Sequence, residues 1–161
     1  MRYILKQKLF SLGGAFYIKD DQDRDVFLVE GKIFSFGHQL SFRDMDGNEL
    51  AYIQQKLLSW GPTYEIYRDG QLFAVVKKEL FHFFKHVFTV DVPGPNDLVA
   101  EGDFFDLEFT FRRNEREVAV VSRRWLSLVD TYGVDIVDDE DDITILASTV
   151  VIDMVRADRK N

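Results

Sequence analysis

The stretch DDEDDITILASTVVIDMVRADRK, residues 138 to 160, decides how this chain folds. Between an acidic run and a basic tail lie thirteen residues, Ile143 to Val155, whose only charge is Asp153. Three readings compete: a membrane segment, one more strand, or a helix buried inside the protein. On a helical wheel Ile143, Ile145, Leu146, Val150, Val151, Ile152, Met154 and Val155 point in nearly every direction, and a helix apolar all round must be buried or in lipid. Thirteen helical residues rise only about 20 Å, short of the roughly 30 Å hydrocarbon core, which argues against a transmembrane span. Ile, Val and Thr favour strands. Thirteen unbroken residues are long for a strand, however, and Asp138–Asp142 suit the positive end of a helix. The stretch reads as a central helix over about 142–156.

A helix of this kind needs a shell around it, and the preceding residues supply one. KQKLF at 6–10 recurs as KKELF at 77–81, VEG at 29–31 as AEG at 100–102, and LSFR at 40–43 as FTFR at 109–112. AYIQQKLLSWGPTYEI at 51–66 matches AVVSRRWLSLVDTYGV at 119–134, so the offset stays between 68 and 71 residues. Half-repeats of about 1–70 and 71–137 follow within a single domain, 1–161, and the helical stretch has no counterpart in the first half. Runs rich in β-branched and aromatic residues alternate with turn signals such as DMDGNE, SWGP, RDGQ, PGPND and RRNE. They predict twelve strands, at about 2–10, 15–20, 25–34, 39–45, 49–58, 62–68, 71–79, 84–92, 97–104, 107–113, 116–125 and 129–137. Short connections make neighbours antiparallel, and closure removes the exposed edges. About eight strands fill a barrel with their own side chains, whereas larger barrels leave a channel or need a plug, and the helical stretch supplies the plug. The expected architecture is mainly β: a closed twelve-stranded antiparallel barrel with the C-terminal helix through the middle.

Composition bounds the chemistry. The chain has 161 residues, 46% hydrophobic with 15 Phe, enough for a sizeable core. It has no cysteine, which excludes disulfides, thiol nucleophiles and cysteine-bound metals and suits a reducing, cytoplasmic location. MRYILKQKLFSLGG lacks an uninterrupted apolar signal region. A net charge of −8 repels polyanions overall, so no nucleic-acid partner is expected.

At KQKLFSLGGAFYIKD (6–20), LVEGKIFSFG (28–37), DMDGNELAYIQQKL (44–57) and VPGPNDLVAEGDFFD (92–106), followed by the apolar C-terminal segment, the chain resembles the LURP-one-related proteins. These share the tubby C-terminal-like fold with tubby and the phospholipid scramblases. The resemblance covers essentially the whole chain and implies a twelve-stranded barrel around a hydrophobic helix. It implies little about activity. Tubby binds phosphoinositides, but none of its lipid-contacting residues matches a position here.

Candidate sites are few. His82 and His86 lie four apart in a segment read as strand, where that spacing is about 13 Å, too far to share an ion; His38 reads as a loop residue. No GxSxG, phosphate loop or paired-glycine fingerprint occurs, and Gly13–Gly14 reads as a hairpin turn. No catalytic residue and no cofactor is therefore expected. In scramblase-like relatives the region of the acidic run has been proposed to bind calcium, which makes Asp138, Asp139 and Asp141 the metal candidates. The EF-hand spacing is absent, and a solvated acidic loop before a helix N-terminus is the simpler account. Arg112, Arg113, Arg116, Arg123 and Arg124 form the candidate anion or lipid-headgroup site, against the simpler account of hairpin arginines paired with nearby carboxylates such as Glu115 and Glu117. The expected function is a non-enzymatic binding or regulatory module, peripheral at a membrane and recognising phosphoinositide or another anionic ligand. A protein-interaction scaffold is the alternative, and a small hydrolase the third reading.

Overall fold

The computed structural model describes residues 1–6, 14–32, 36–79, 86–126 and 130–159. Twelve strands precede one helix: β1 (Arg2–Lys6), β2 (Ala15–Asp20), β3 (Asp25–Gly31), β4 (Gln39–Asp44), β5 (Glu49–Gln55), β6 (Thr63–Arg68), β7 (Gln71–Lys78), β8 (Val87–Asp91), β9 (Leu98–Asp103), β10 (Glu108–Arg113), β11 (Arg116–Ser122), β12 (Thr131–Ile136) and α1 (Asp142–Arg159). Each strand pairs with its sequence neighbours, and β1 pairs antiparallel with β12, with Ile4 opposite Gly133, to close the barrel. The predicted strands all occur; the predicted ends at 7–10, 33–34, 84–85 and 129 lie outside the described residues, and several of the others are shorter than predicted. The predicted strand 49–58 stops at Gln55, and the one read as 116–125 stops at Ser122, leaving Arg123 and Arg124 outside the sheet.

Alternation along the strands decides the two faces. Phe16, Ile18, Phe42, Ile53, Ile66, Val76, Leu98, Phe111 and Val134 point inward and are buried. Outward positions carry charge, as at Lys19, Glu65, Lys77 and Glu101. A membrane-spanning barrel has the opposite pattern, with its apolar band outside.

The helix runs along the barrel axis. Thirteen consecutive residues, Thr144 to Arg156, are buried, which only a helix surrounded on every side achieves. Its one internal acid, Asp153, is fully buried and accepts hydrogen bonds from Arg156 Nε (3.0 Å) and Nη2 (2.6 Å), with the Tyr132 hydroxyl 3.3 Å from its other oxygen. A charge in this interior requires such partners, because an isolated one is prohibitively expensive to desolvate.

The two barrel ends differ for reasons visible in the register. At the end where α1 begins, the hairpins are tight. Asp69 and Gly70 both have positive φ (50° and 75°), the two-residue turn whose twist matches the flanking strands. Four hairpins at this end carry a register slip, and the residues left over are Val26, Leu50, Phe73 and Val118. Val118 is buried and the other three pack against the core, so each bulge turns an additional apolar side chain toward the closed end. The slips at Phe42/Arg43 and Phe111/Arg112 fall where the sequence repeat aligns LSFR with FTFR. The opposite end, around the C-terminus of α1, is built mostly from longer connections, those of β3–β4, β5–β6, β7–β8 and β11–β12 among them.

Candidate functional site

The acidic run is absorbed at the closed end. Arg113 donates to Glu140, Arg68 to Asp141, and the Tyr3 hydroxyl to Asp142. Thr144 Oγ1 donates to Asp141 at 2.7 Å, and Asp135 pairs with Arg2 at 3.1 Å. These contacts clamp the first helical turn to β1, β6 and β10, placing carboxylates at the positive end of the helix dipole. Asp138 and Asp139 are exposed, and Asp139 has a positive φ of 70°. No three of His, Asp and Glu gather as a metal-holding group among the described residues. Asp138, Asp139 and Asp141 are thus not brought together as a ligand set. His82 lies outside the described residues. His86 meets the Phe105 ring edge-on at 6.1 Å.

The five candidate arginines are divided between the two ends of β11. Arg112, Arg113 and Arg116 flank the turn at Asn114 and Glu115, where Arg112 pairs with Glu117 at 3.6 Å and Arg113 with Glu140. Arg116 makes no ion pair among the described residues. Arg123 and Arg124 lie a strand length away, beyond Ser122, where Arg123 pairs with Asp106 at 3.4 Å and the Arg124 guanidinium comes within 3.8 Å of Glu108. At about 3.3 Å per residue a seven-residue strand separates the groups by roughly 20 Å. They do not form one patch, and four of the five are held by carboxylates.

The open end presents a different chemistry, which the sequence reading passed over. The β5–β6 connection carries Leu57, Leu58 and Trp60, with Leu58 94% and Trp60 91% exposed, and Phe36 in the β3–β4 connection is 89% exposed. The two connections approach each other where Leu57 packs against Gly37, so both present exposed apolar side chains at the same end of the barrel. Around them, the last turn of α1 meets three connections. Asp158 Oδ2 lies 3.1 Å from His38 Nε2, the Arg159 guanidinium stands 5.6 Å from the Phe105 ring centroid, and a cleft of about 280 Å³ separates the helix end from Lys56, Leu57 and Pro62. A narrower apolar slot on the other side is lined by Lys78, His86, Phe88, Phe104, Phe105 and Arg159. Burial, then the nearby Arg159, holds the Lys78 ammonium below its ordinary pKa. His86 is likewise lowered, by burial and then by Lys78 and Arg159. The signal available in the sequence was LLSWGP, a turn segment carrying three large apolar residues; reading it as strand end plus turn concealed their exposure.

The residues matched by family comparison cover this architecture almost entirely: the LURP-one-related sequence profile aligns with residues 1–153. The chain belongs to the LURP-one-related family. It is 38% identical over 151 residues to a protein of Bacillus subtilis (strain 168) named "Uncharacterized protein YxjI", spanning 94% of this chain and 91% of that protein. Among the described residues of this LURP-one-related protein no helix is long and apolar enough to cross a membrane.

Proposed function

We propose that this LURP-one-related protein is a non-catalytic binding module of the cytoplasm that docks on an anionic membrane surface through its open end. The observation that carries this reading is the exposure of Leu58, Trp60 and Phe36 on connections that also bear Lys56 and surround Arg159. Trp and Leu favour the headgroup boundary, where an amphipathic ring or an aliphatic tip loses contact with water. Basic residues beside them add about 1 kcal/mol each near anionic lipid. The charge distribution supports the same orientation, because the acidic run of residues 138–142 lies at the opposite end, away from the bilayer. An interior filled by α1 leaves ligand recognition to the rims and outer surface. Phosphoinositide recognition by the five arginines receives no support from their separation, so the membrane reading rests on the open end instead.

Vesicle flotation tests it, with phosphatidylcholine alone against phosphatidylcholine mixed with phosphatidylglycerol. With Trp125→Phe, Trp60 is the sole tryptophan, because the chain has two, and its emission should shift to the blue on binding. Leu58→Ser with Trp60→Ser should abolish flotation without changing the melting temperature. No flotation with anionic vesicles, or flotation indifferent to that double substitution, would refute the reading and favour the protein-interaction scaffold.

A further inference from the structure

We infer that the slot between α1 and the strands β7 and β8 binds a short aliphatic carboxylate, whose stem enters between Phe88, Phe104 and Val155 while its anion meets Lys78 and Arg159. The slot lies at the open end, but the inference does not depend on the membrane reading, because this ligand is a small molecule taken from solution.

The first argument is the place of Lys78 in the barrel. β7 alternates, with Ala74 and Val76 buried inside and Lys77 exposed outside, so Lys78 occupies an inward position. Its cross-strand partner is the buried Phe88. A lysine drawn inward ordinarily meets a carboxylate. Here it meets a second cation. Arg159 lines the same slot, on the helical face that also carries Ile152, Val155 and Arg156. Burial and then Arg159 hold the Lys78 ammonium below its ordinary pKa, with no carboxylate of the described residues offsetting them. Neither cation makes an ion pair among the described residues, and residues 80–85, which flank the slot in sequence, contain no Asp or Glu. Arg156 is already paired with Asp153. Asp158 lines the cleft on the other side of the helix end, where it lies 3.1 Å from His38. Asp103, which acts on His86, accepts the backbone N–H of Asp106 at 3.1 Å and does not line the slot. The helix C-terminus favours a cation at Arg159, but it gives no account of Lys78, which comes from the sheet.

The second argument is the walls. Phe88 and Phe104 meet edge to face at 4.8 Å, and Ile152 and Val155 line the slot from α1. Phe105 is 41% exposed, with the His86 ring 6.1 Å and the Arg159 guanidinium 5.6 Å from its centroid, so these groups frame the mouth. The slot has a volume of about 20 Å³, more than a single water requires but too little for a ring or for two acyl chains. An apolar slot with cations at its mouth matches an anion on a narrow aliphatic stem. A carboxylate suits the flat guanidinium fork of Arg159, and a monoanion costs less to desolvate against apolar walls than a dianion.

The test titrates hexanoate, acetate and hexanol into the protein and follows backbone amide shifts by NMR. Hexanoate should give saturable shifts centred on Lys78, Phe88, Phe104 and Val155. It should bind roughly tenfold more tightly than acetate, which lacks the stem, or hexanol, which lacks the charge. Lys78→Met should weaken hexanoate binding roughly tenfold while leaving the melting temperature equal or higher, because it removes a half-buried ammonium from beside another cation. A merely structural lysine would not separate these readouts. Arg159→Gln, in the exposed last turn of α1, should weaken binding in the same way and serves as the second variant. Lys77→Gln, the outward neighbour on β7, should leave binding unchanged. So should Leu58→Ser with Trp60→Ser, which separates this slot from the membrane-docking surface. Acetate or hexanol binding as tightly as hexanoate, shifts centred elsewhere, or an equal loss from Lys77→Gln would overturn the inference. Hexyl phosphate binding more tightly than hexanoate would overturn the carboxylate assignment in favour of a phosphate ester.

Discussion

Arg156→Met is the most informative perturbation of the interior. It removes the guanidinium that donates twice to Asp153, a fully buried carboxylate whose other oxygen lies 3.3 Å from the Tyr132 hydroxyl. Breaking one side of a buried pair costs about 3–5 kcal/mol, a large share of a typical domain's 5–15 kcal/mol. For a chain of this size that lowers the melting temperature by roughly 6–20 °C, at about 2–4 °C per kcal/mol. Adding Asp153→Asn removes the buried charge while its amide oxygen still accepts from Tyr132, so the double variant should recover most of the loss. Urea titration followed by far-UV circular dichroism measures both, with slopes expected to match the parent. The reasoning is refuted if Arg156→Met lies within about 1 kcal/mol of the parent, or if the double variant is no more stable than the single.

Three further outcomes are expected. Truncation after Asp142 removes Ile145, Leu146, Val150, Val151, Ile152, Met154 and Val155 from the barrel interior; at roughly 1.5–3 kcal/mol each this exceeds the stability of most domains, and calorimetry should show no cooperative transition. Glu115→Gly should stabilise by about 1 kcal/mol, because Glu115 sits at φ 65° beside Asn114 at φ 48° in a turn that favours Asn-Gly; a destabilised variant in urea titration would contradict that turn geometry. Asp97→Asn concerns pH. The Asp97 carboxylate raises the pKa of Asp91 above its ordinary value, so the folded state holds this proton more tightly than the unfolded chain, and stability falls as pH rises through that interval. The amide can still accept from Val92 N–H, now bonded at 3.0 Å. The variant should therefore be more stable than the parent at neutral pH and equal to it where both carboxyls are protonated, with the Asp91 carboxyl titration in NMR moving downward.

The strands were legible because each repeats a two-residue alternation against strong turn signals, and Asp69-Gly70 or Asp46-Gly47 leave little choice of where the chain reverses. Ends were less legible. Lys56 still donates its backbone N–H to Thr63 at 2.9 Å, but Leu57 and Leu58 leave the sheet, and nothing in their apolar character distinguishes a strand end from an exposed loop. The bulges escaped notice for a related reason. Val26, Leu50, Phe73 and Val118 look like ordinary strand residues until the partner's register leaves one of them over.

What the sequence by itself determined is the barrel and its plug. A segment apolar on all sides has one soluble solution, enclosure, and twelve short antiparallel strands supply an enclosure too wide to fill itself. The location of charge in three dimensions belongs to the tertiary structure alone. Arg116 and Arg124 are close along the chain, yet an extended strand holds their neighbourhoods apart. Lys56, Lys78, His86 and Arg159 span most of the chain, yet closure of the barrel around one helix brings them to the same rim. Sequence proximity reports side-chain proximity only over a few residues, and beyond that range the topology decides which charges meet.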